Sequence, residues 1–395
     1  MRRGSTNPRG LKAPLSPPNH FVTSSATRPW GCAAACAHRE LAAGRAMPAA
    51  AAGRVPVDAR AYYAEFHGCK EEHLEAVHGA VRRRRAALWL LGDSSLDNKF
   101  WFGEEAPAVN GYEDVLRPPR MRQDICYHVN KLLVERGLAD DHVCINTAVE
   151  ATSLNDRALG RLLPQDRFAA THLEGNDTLV VSLGGNDVAL QPLVCTILNM
   201  LLLVHCTARQ PCMAAATACV PNIHAVVGDC GCLLCGAPSC ISSSLAAWPP
   251  GLGYFVDLFK NRLEVYLQRV VDKARQPPKR VVVCSIYYPC EVRQPSWAGV
   301  ALGALRYDAD PKRLQRVLRA IFVLATSRVR VRGVREVVPL GLHDVLDPLD
   351  ASDYVARVEP SPVGARKIAA AVLDAAGLLA PAASTPPRPA AAMAR

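Results

Sequence analysis

The sequence predicts an α/β fold: a five-stranded parallel sheet with helices on both faces. Two observations support this. Five short apolar runs, each bounded by polar or turn residues, recur along the chain, and segments of helical periodicity alternate with them. Such alternation is the pattern of a parallel sheet whose connections pack back over it. The predicted strands are Ala86–Leu91, Val143–Asn146, Thr178–Leu183, Arg280–Ile286 and Glu336–Leu340. Predicted helices over Glu71–Val81, Gln123–Arg136, Asp156–Leu163, Leu258–Ala274 and Pro311–Ala325 each precede one strand. A last helix, Pro362–Leu379, is marked by Ser361, which can cap the free N–H groups, and by proline at the first helical position.

Composition bounds the function. The chain has 395 residues, half of them hydrophobic, so a substantial core can be buried, and a mean hydropathy near zero fits a soluble protein. The net charge of +10 is concentrated at one end: residues 1–60 carry nine Arg and Lys side chains against Glu40 and Asp58. The one dense basic run in the body, Arg82–Arg85, falls at the end of a predicted helix, where cations complement the dipole and are solvated. A nucleic-acid partner is therefore not expected. The longest apolar run, Leu193–Val204, is about 12 residues, short of the roughly 20 needed to span a bilayer, so no membrane span is expected.

Three regions stand outside the alternating pattern. Residues 1–60 are rich in Arg, Ser, Ala and Pro and read as a disordered leader or a transit-like extension, with an intracellular or organelle location. Residues 206–250 form a Cys-rich insert in the domain expected at 61–380, and 381–395 read as a disordered tail. Seven of the fifteen cysteines lie between Cys206 and Cys240; the scattered remainder reads as buried reduced thiols. Within the insert Cys230, Cys232, Cys235 and Cys240 offer a single C-x-x-C pair without a well-spaced second one, so no metal is expected. Asp93, Asp97 and Asp187 are read as turn residues and not as metal ligands, and no cofactor is expected.

In parallel sheets the site lies at the carboxyl ends of the strands, and the chemistry-bearing residues fall there. Gly92-Asp93-Ser94-Ser95-Leu96-Asp97-Asn98 follows the first strand, Asn146-Thr147-Ala148-Val149-Glu150-Ala151-Thr152 ends the second, and Gly184-Gly185-Asn186-Asp187 ends the third. A serine at such a turn is presented with its own N–H free to face a developing oxyanion, and Asn186 can donate its amide. GDSxxDN and a later GGND resemble two blocks of the SGNH hydrolase superfamily, the GDSL-type esterases and lipases, over roughly residues 88–373.

The resemblance implies a three-layer α/β/α sandwich, flavodoxin-like, hydrolysing esters of small molecules, often lipid- or carbohydrate-linked acyl groups. It implies Ser94 as nucleophile, with the Ser94 N–H, the Asn186 amide and the backbone N–H of Ala151 (glycine in the family) as oxyanion donors. The family's Asp-x-x-His before the last helix is absent: Ala356 and Glu359 stand at those places. Three readings follow. His343, with Asp344 or Asp347 to orient it, is the general base; or Glu359 is, if burial raises its pKa; or efficient hydrolysis is lost and a binding pocket for an acyl or carbohydrate ligand remains. The stretch Asp353 to Ser361, with Ser296-Trp297-Ala298-Gly299 upstream, resembles an SGNH-like branch of algae and other protists in which Glu-Pro-Ser recurs.

Overall fold

A computed structural model describes residues 56–190, 194–207 and 249–379. The predicted sheet is present. Its strands are β1 (Ala86–Gly92), β2 (His142–Asn146), β3 (Thr178–Ser182), β4 (Arg280–Cys284) and β5 (Glu336–Leu340), all parallel, in the spatial order β2-β1-β3-β4-β5. The order reverses between β1 and β3, which makes the carboxyl ends of that pair the switch point where α/β sheets open a crevice. Gly92 lies opposite Ser182 in the register, so the two motif loops leave the sheet side by side.

The helices are α1 (Glu71–Val81), α2 (Ile125–Glu135), α3 (Pro164–His172), α4 (Gly185–Ala189), α5 (Val194–Leu201), α6 (Leu252–Val256), α7 (Leu263–Lys273), α8 (Gly299–Ala304), α9 (Pro311–Leu324) and α10 (Pro362–Ala375). In one layer α2 packs against α10. The other layer includes α3, which packs against both α1 and α7. Between the layers β1 to β4 are almost wholly buried, as the continuous apolar runs require. Ser361 caps α10 as expected, its hydroxyl accepting from the N–H groups of Val363 and Gly364 at 3.1 Å.

Two expectations are corrected. The helix expected over 156–163 is displaced: Asn155–Arg157 make a single 3-10 turn, and the helix is α3 at Pro164–His172. Leu159 and Gly160 both have positive φ (55° and 80°), which breaks any helix. Beyond them Pro164 suits a first turn, and the Asp166 carboxylate accepts from the Leu163 N–H at 3.0 Å. The Arg82–Arg85 run is not simply solvated. Arg82 is buried and pairs with Asp177 at 2.8 Å and Glu174 at 2.9 Å, and Arg85 donates to Asn110 Oδ1 at 2.6 Å. These arginines close the turn into β1 because the neighbouring loops bring acceptors to that edge.

Among the described residues the first element starts at Val57, which pairs with Leu116. The rest of the expected leader, nearly all of the Cys-rich insert and the tail lie outside the described residues. The described cysteines Cys69, Cys126, Cys144, Cys284 and Cys290 are buried free thiols.

Candidate active site

β1 ends in a glycine because nothing larger fits. Gly92 has φ +142°, and a β-carbon there would collide with the Ser182 carbonyl of β3. The chain then turns tightly: the Asp93 carbonyl accepts from the Leu96 and Asp97 N–H groups, both at 3.0 Å. The Asp93 carboxylate takes the Ser95 N–H at 3.0 Å and the Ser95 hydroxyl at 2.7 Å, and Ser95 reaches Ser182 Oγ at 2.6 Å. Ser94 is left at the turn's edge with a side chain that none of these bonds engages.

Asn186 comes from the neighbouring strand. Gly184 (φ +106°) turns the chain into α4, and a side chain there would strike Phe259. Asn186 is buried and donates from Nδ2 to the Thr152 carbonyl at 2.9 Å. An amide has two N–H donors, so this bond orients the group while a second donor remains. Asp187 anchors the same loop, accepting from the Leu154 and Asn155 N–H groups at 2.8 and 3.3 Å.

Glu359 arrives from the far end of the chain. Tyr354–Val355 and Glu359–Pro360 form a small antiparallel ladder just before α10. Its loop is turned by Ala356 and Arg357, both with positive φ. The Arg357 guanidinium fixes the loop, donating to Asp308 at 2.7 Å and to the Cys290 carbonyl at 3.1 Å. Tyr287 donates to the Val358 carbonyl at 2.7 Å.

Glu359 is 1% exposed. Burial pushes its carboxyl up to about 8, and the Asp93 charge adds to the rise; the Ser94 hydroxyl and the Trp297 indole oppose it by hydrogen bonding. Trp297 Nε1 donates to Oε1 at 3.2 Å, whereas Oε2 has no partner of full hydrogen-bond geometry among the described residues. Ser94 and this carboxyl line the same cavity.

Ser94, Asn186 and Glu359 line one cavity of about 100 Å³, together with Asp93, Tyr287 and Trp297. Its remaining wall is largely apolar, including Leu302, Leu305, Leu314 and Leu318 from the α8–α9 region. Two expected site residues are not brought there. His343 is buried elsewhere, Nδ1 3.0 Å from Ser285 Oγ, its ring against Phe322 and Tyr288. Burial lowers its pKa, as expected of an imidazole packed on aromatic rings. Ala151 does not line the cavity; it opens, with His67 and Arg161, onto a second, larger one. Its φ of +56° explains why glycine suits this place, and the next residue, Thr152, accepts the Asn186 bond.

Residue-pattern reasoning gave no role to Trp297 or Glu150. Glu150 is 2% exposed, with Oε1 accepting from Trp101 Nε1 at 3.2 Å. The only available signal for Trp297 was its place in Ser-Trp-Ala-Gly, which named no partner.

No protein-family model matches the chain, and no curated protein sequence is similar to it at a significant level. Among solved structures it is similar to an extracellular lipase from Streptomyces rimosus, with 11% identity, 73% of this chain and 99% of that one covered, and a TM-score of 0.34. It is similar also to a carbohydrate acetylesterase from Sinorhizobium meliloti (13% identity, 74% and 99% covered, TM-score 0.35). A third is an acetyl xylan esterase variant from Geobacillus stearothermophilus (13%, 74% and 95%, TM-score 0.34). The chain has a doubly wound α/β fold with a five-stranded parallel sheet, and its GDS turn and GGND turn leave the two strands that flank the switch point.

Proposed function

We propose that the protein is a serine-dependent ester hydrolase in which Glu359 takes the place of the usual histidine. The observation that carries this reading is the meeting of Ser94, Glu359 and Asn186 on one largely apolar cavity. Ser94 Oγ attacks the ester carbonyl carbon as Glu359 accepts its proton. The carbonyl oxygen becomes an oxyanion, held by the Asn186 amide and the Ser94 N–H, which makes no hydrogen bond among the described residues. Collapse breaks the ester C–O bond, the alcohol leaves with the proton from Glu359, and the acyl group stays on Ser94. Water, deprotonated by Glu359, then releases the acid. Ala151, whose N–H the resemblance implies as a third donor, adjoins Thr152, the acceptor of the Asn186 bond. The apolar lining suits the acyl part of the substrate, and a cavity of about 100 Å³ suits a short one.

A fluorophosphonate probe and short-chain nitrophenyl esters test the reading. Wild type is expected to be labelled and to turn over, and Ser94→Ala to do neither. Labelling that survives in Ser94→Ala, or an unlabelled wild type, overturns it. A non-hydrolytic acyl-binding protein is the second reading, favoured by the protonated state that burial imposes on Glu359 near neutrality; acyl binding without turnover would establish it.

A further inference from the structure

The second cavity, of about 690 Å³, is lined quite differently from the first. Arg161, Arg167 and Lys273 face it, with His67, against a single carboxylate, Asp156. That carboxylate is already engaged, since its Oδ2 accepts from the Ser153 N–H and hydroxyl, both at 2.8 Å. None of the three cations makes an ion pair among the described residues. They come from separate elements. Arg161 follows the left-handed Leu159 and Gly160, Arg167 sits on α3, and Lys273 ends α7, which packs on α3. Asp166 turns inward to Arg157, so the next residue of the helix, Arg167, points outward. Both guanidinium groups are tethered to backbone: Arg161 Nε donates to the Ala158 carbonyl at 3.3 Å, and Arg167 Nη1 to the Leu162 carbonyl at 2.7 Å. A guanidinium has five N–H donors, so each keeps others for a ligand, and the tether lowers the entropy lost on binding.

We infer that this cavity is an anion-binding site, taking a phosphate or carboxylate group on Arg161, Arg167 and Lys273. Three cations around one concave wall raise the local potential, and an anion relieves their repulsion. The forked donors of arginine match the paired oxygens of either group. The site adjoins the proposed oxyanion machinery. Thr152 lines the cavity, and its carbonyl is the acceptor that holds Asn186 Nδ2 at 2.9 Å. The Thr152 hydroxyl takes Arg157 Nη1 at 2.9 Å and donates to the Val149 carbonyl at 2.7 Å. An anion pressed against this loop is therefore one residue's width from a group that orients Asn186. Binding at the site does not depend on the hydrolase reading; its effect on turnover does.

Calorimetric titration with inorganic phosphate, at ionic strength held constant with sodium chloride, tests the site without needing turnover. Saturable binding is expected in wild type. Arg161→Gln and Arg167→Gln each delete charged hydrogen bonds and are expected to weaken it about tenfold or more. Arg366→Gln, which takes the same charge from the exposed face of α10, is expected to leave it unchanged. Absence of saturable binding, binding untouched in both cavity variants, or an equal loss in Arg366→Gln overturns the inference. Two esters then show where the anion comes from. If the substrate carries it, para-acetoxybenzoate has a higher kcat/KM than phenyl acetate, and Arg161→Gln or added phosphate abolishes that preference. If it is a free anion, phosphate changes kcat for both esters alike. Phosphate binding that alters neither turnover strikes out the link through Thr152. Phosphate binding by a protein that hydrolyses neither ester and is not labelled at Ser94 sinks the hydrolase reading alone.

Discussion

Trp297 and Glu359 are joined by a hydrogen bond of 3.2 Å from the indole Nε1 to carboxyl Oε1, made 62 residues apart in the chain. That bond favours the ionised carboxyl. Trp297→Phe keeps a ring in the wall and deletes the donor. A hydrogen bond to a charged group is worth about 1.5–3 kcal/mol, or roughly one to two pH units. The Glu359 pKa is expected to rise by that amount, seen as a shift of the acid limb of kcat/KM to higher pH.

The pH profile distinguishes a glutamate base from an imidazole. Only ionised Glu359 can accept the Ser94 proton, so kcat/KM is expected to rise with pH and level off above about 8. Stability runs the other way. A carboxyl whose folded pKa lies above its unfolded value, about 4.3, contributes most below that value and loses its contribution as pH rises through 8. Denaturant midpoints are expected to fall over that window in wild type and to flatten in Glu359→Gln. A limb centred near the ordinary histidine value would contradict the assignment.

Asn186→Ala removes a donor to the oxyanion. The expected loss is about 100–1000-fold in kcat with KM little changed, since the donor acts on charge that develops in the transition state. Stopped assays on short-chain nitrophenyl esters measure both constants.

His343→Ala is expected to leave the pH profile and Ser94 labelling in place. What it loses is the bond to Ser285 and packing on Phe322 and Tyr288, a stability cost of about 1–3 kcal/mol in urea titration. Loss of labelling in a folded His343→Ala protein would restore the imidazole as base.

Arg157 is a stability test of the frame. Its side chain is wholly buried, pairing with Asp166 at 2.9 Å and donating to the Gly92 carbonyl at 3.2 Å. Asp166 also takes the Tyr266 hydroxyl at 2.8 Å. Arg157→Met leaves that carboxylate buried beside an apolar side chain, an expected cost of about 3–5 kcal/mol in denaturant unfolding.

The five strands and their order of helices were legible because each is an uninterrupted apolar run with polar ends, and such runs mean the same thing wherever the chain places them. Ser94 and Asn186 were legible because short motifs at strand ends fix their own backbone. The helix at 164–172 was misplaced because Leu159 takes a left-handed conformation that nothing in a leucine announces. Glu359 as a companion of Ser94 could be named only as one of three choices, since the hairpin that carries it depends on Arg357 finding Asp308. The burial of Glu150 against Trp101 was invisible, because it exists only after folding.

The amide of Asn98 holds two distant pieces at once, accepting from the Ile125 N–H at the start of α2 and donating to the Pro360 carbonyl, 262 positions away. The proposed nucleophile is synthesised well before its proposed proton acceptor. A nascent or truncated chain ending before the hairpin would display the serine without the group that activates it. Reactivity would then appear only once the hairpin at Tyr354–Pro360 has been made and has docked.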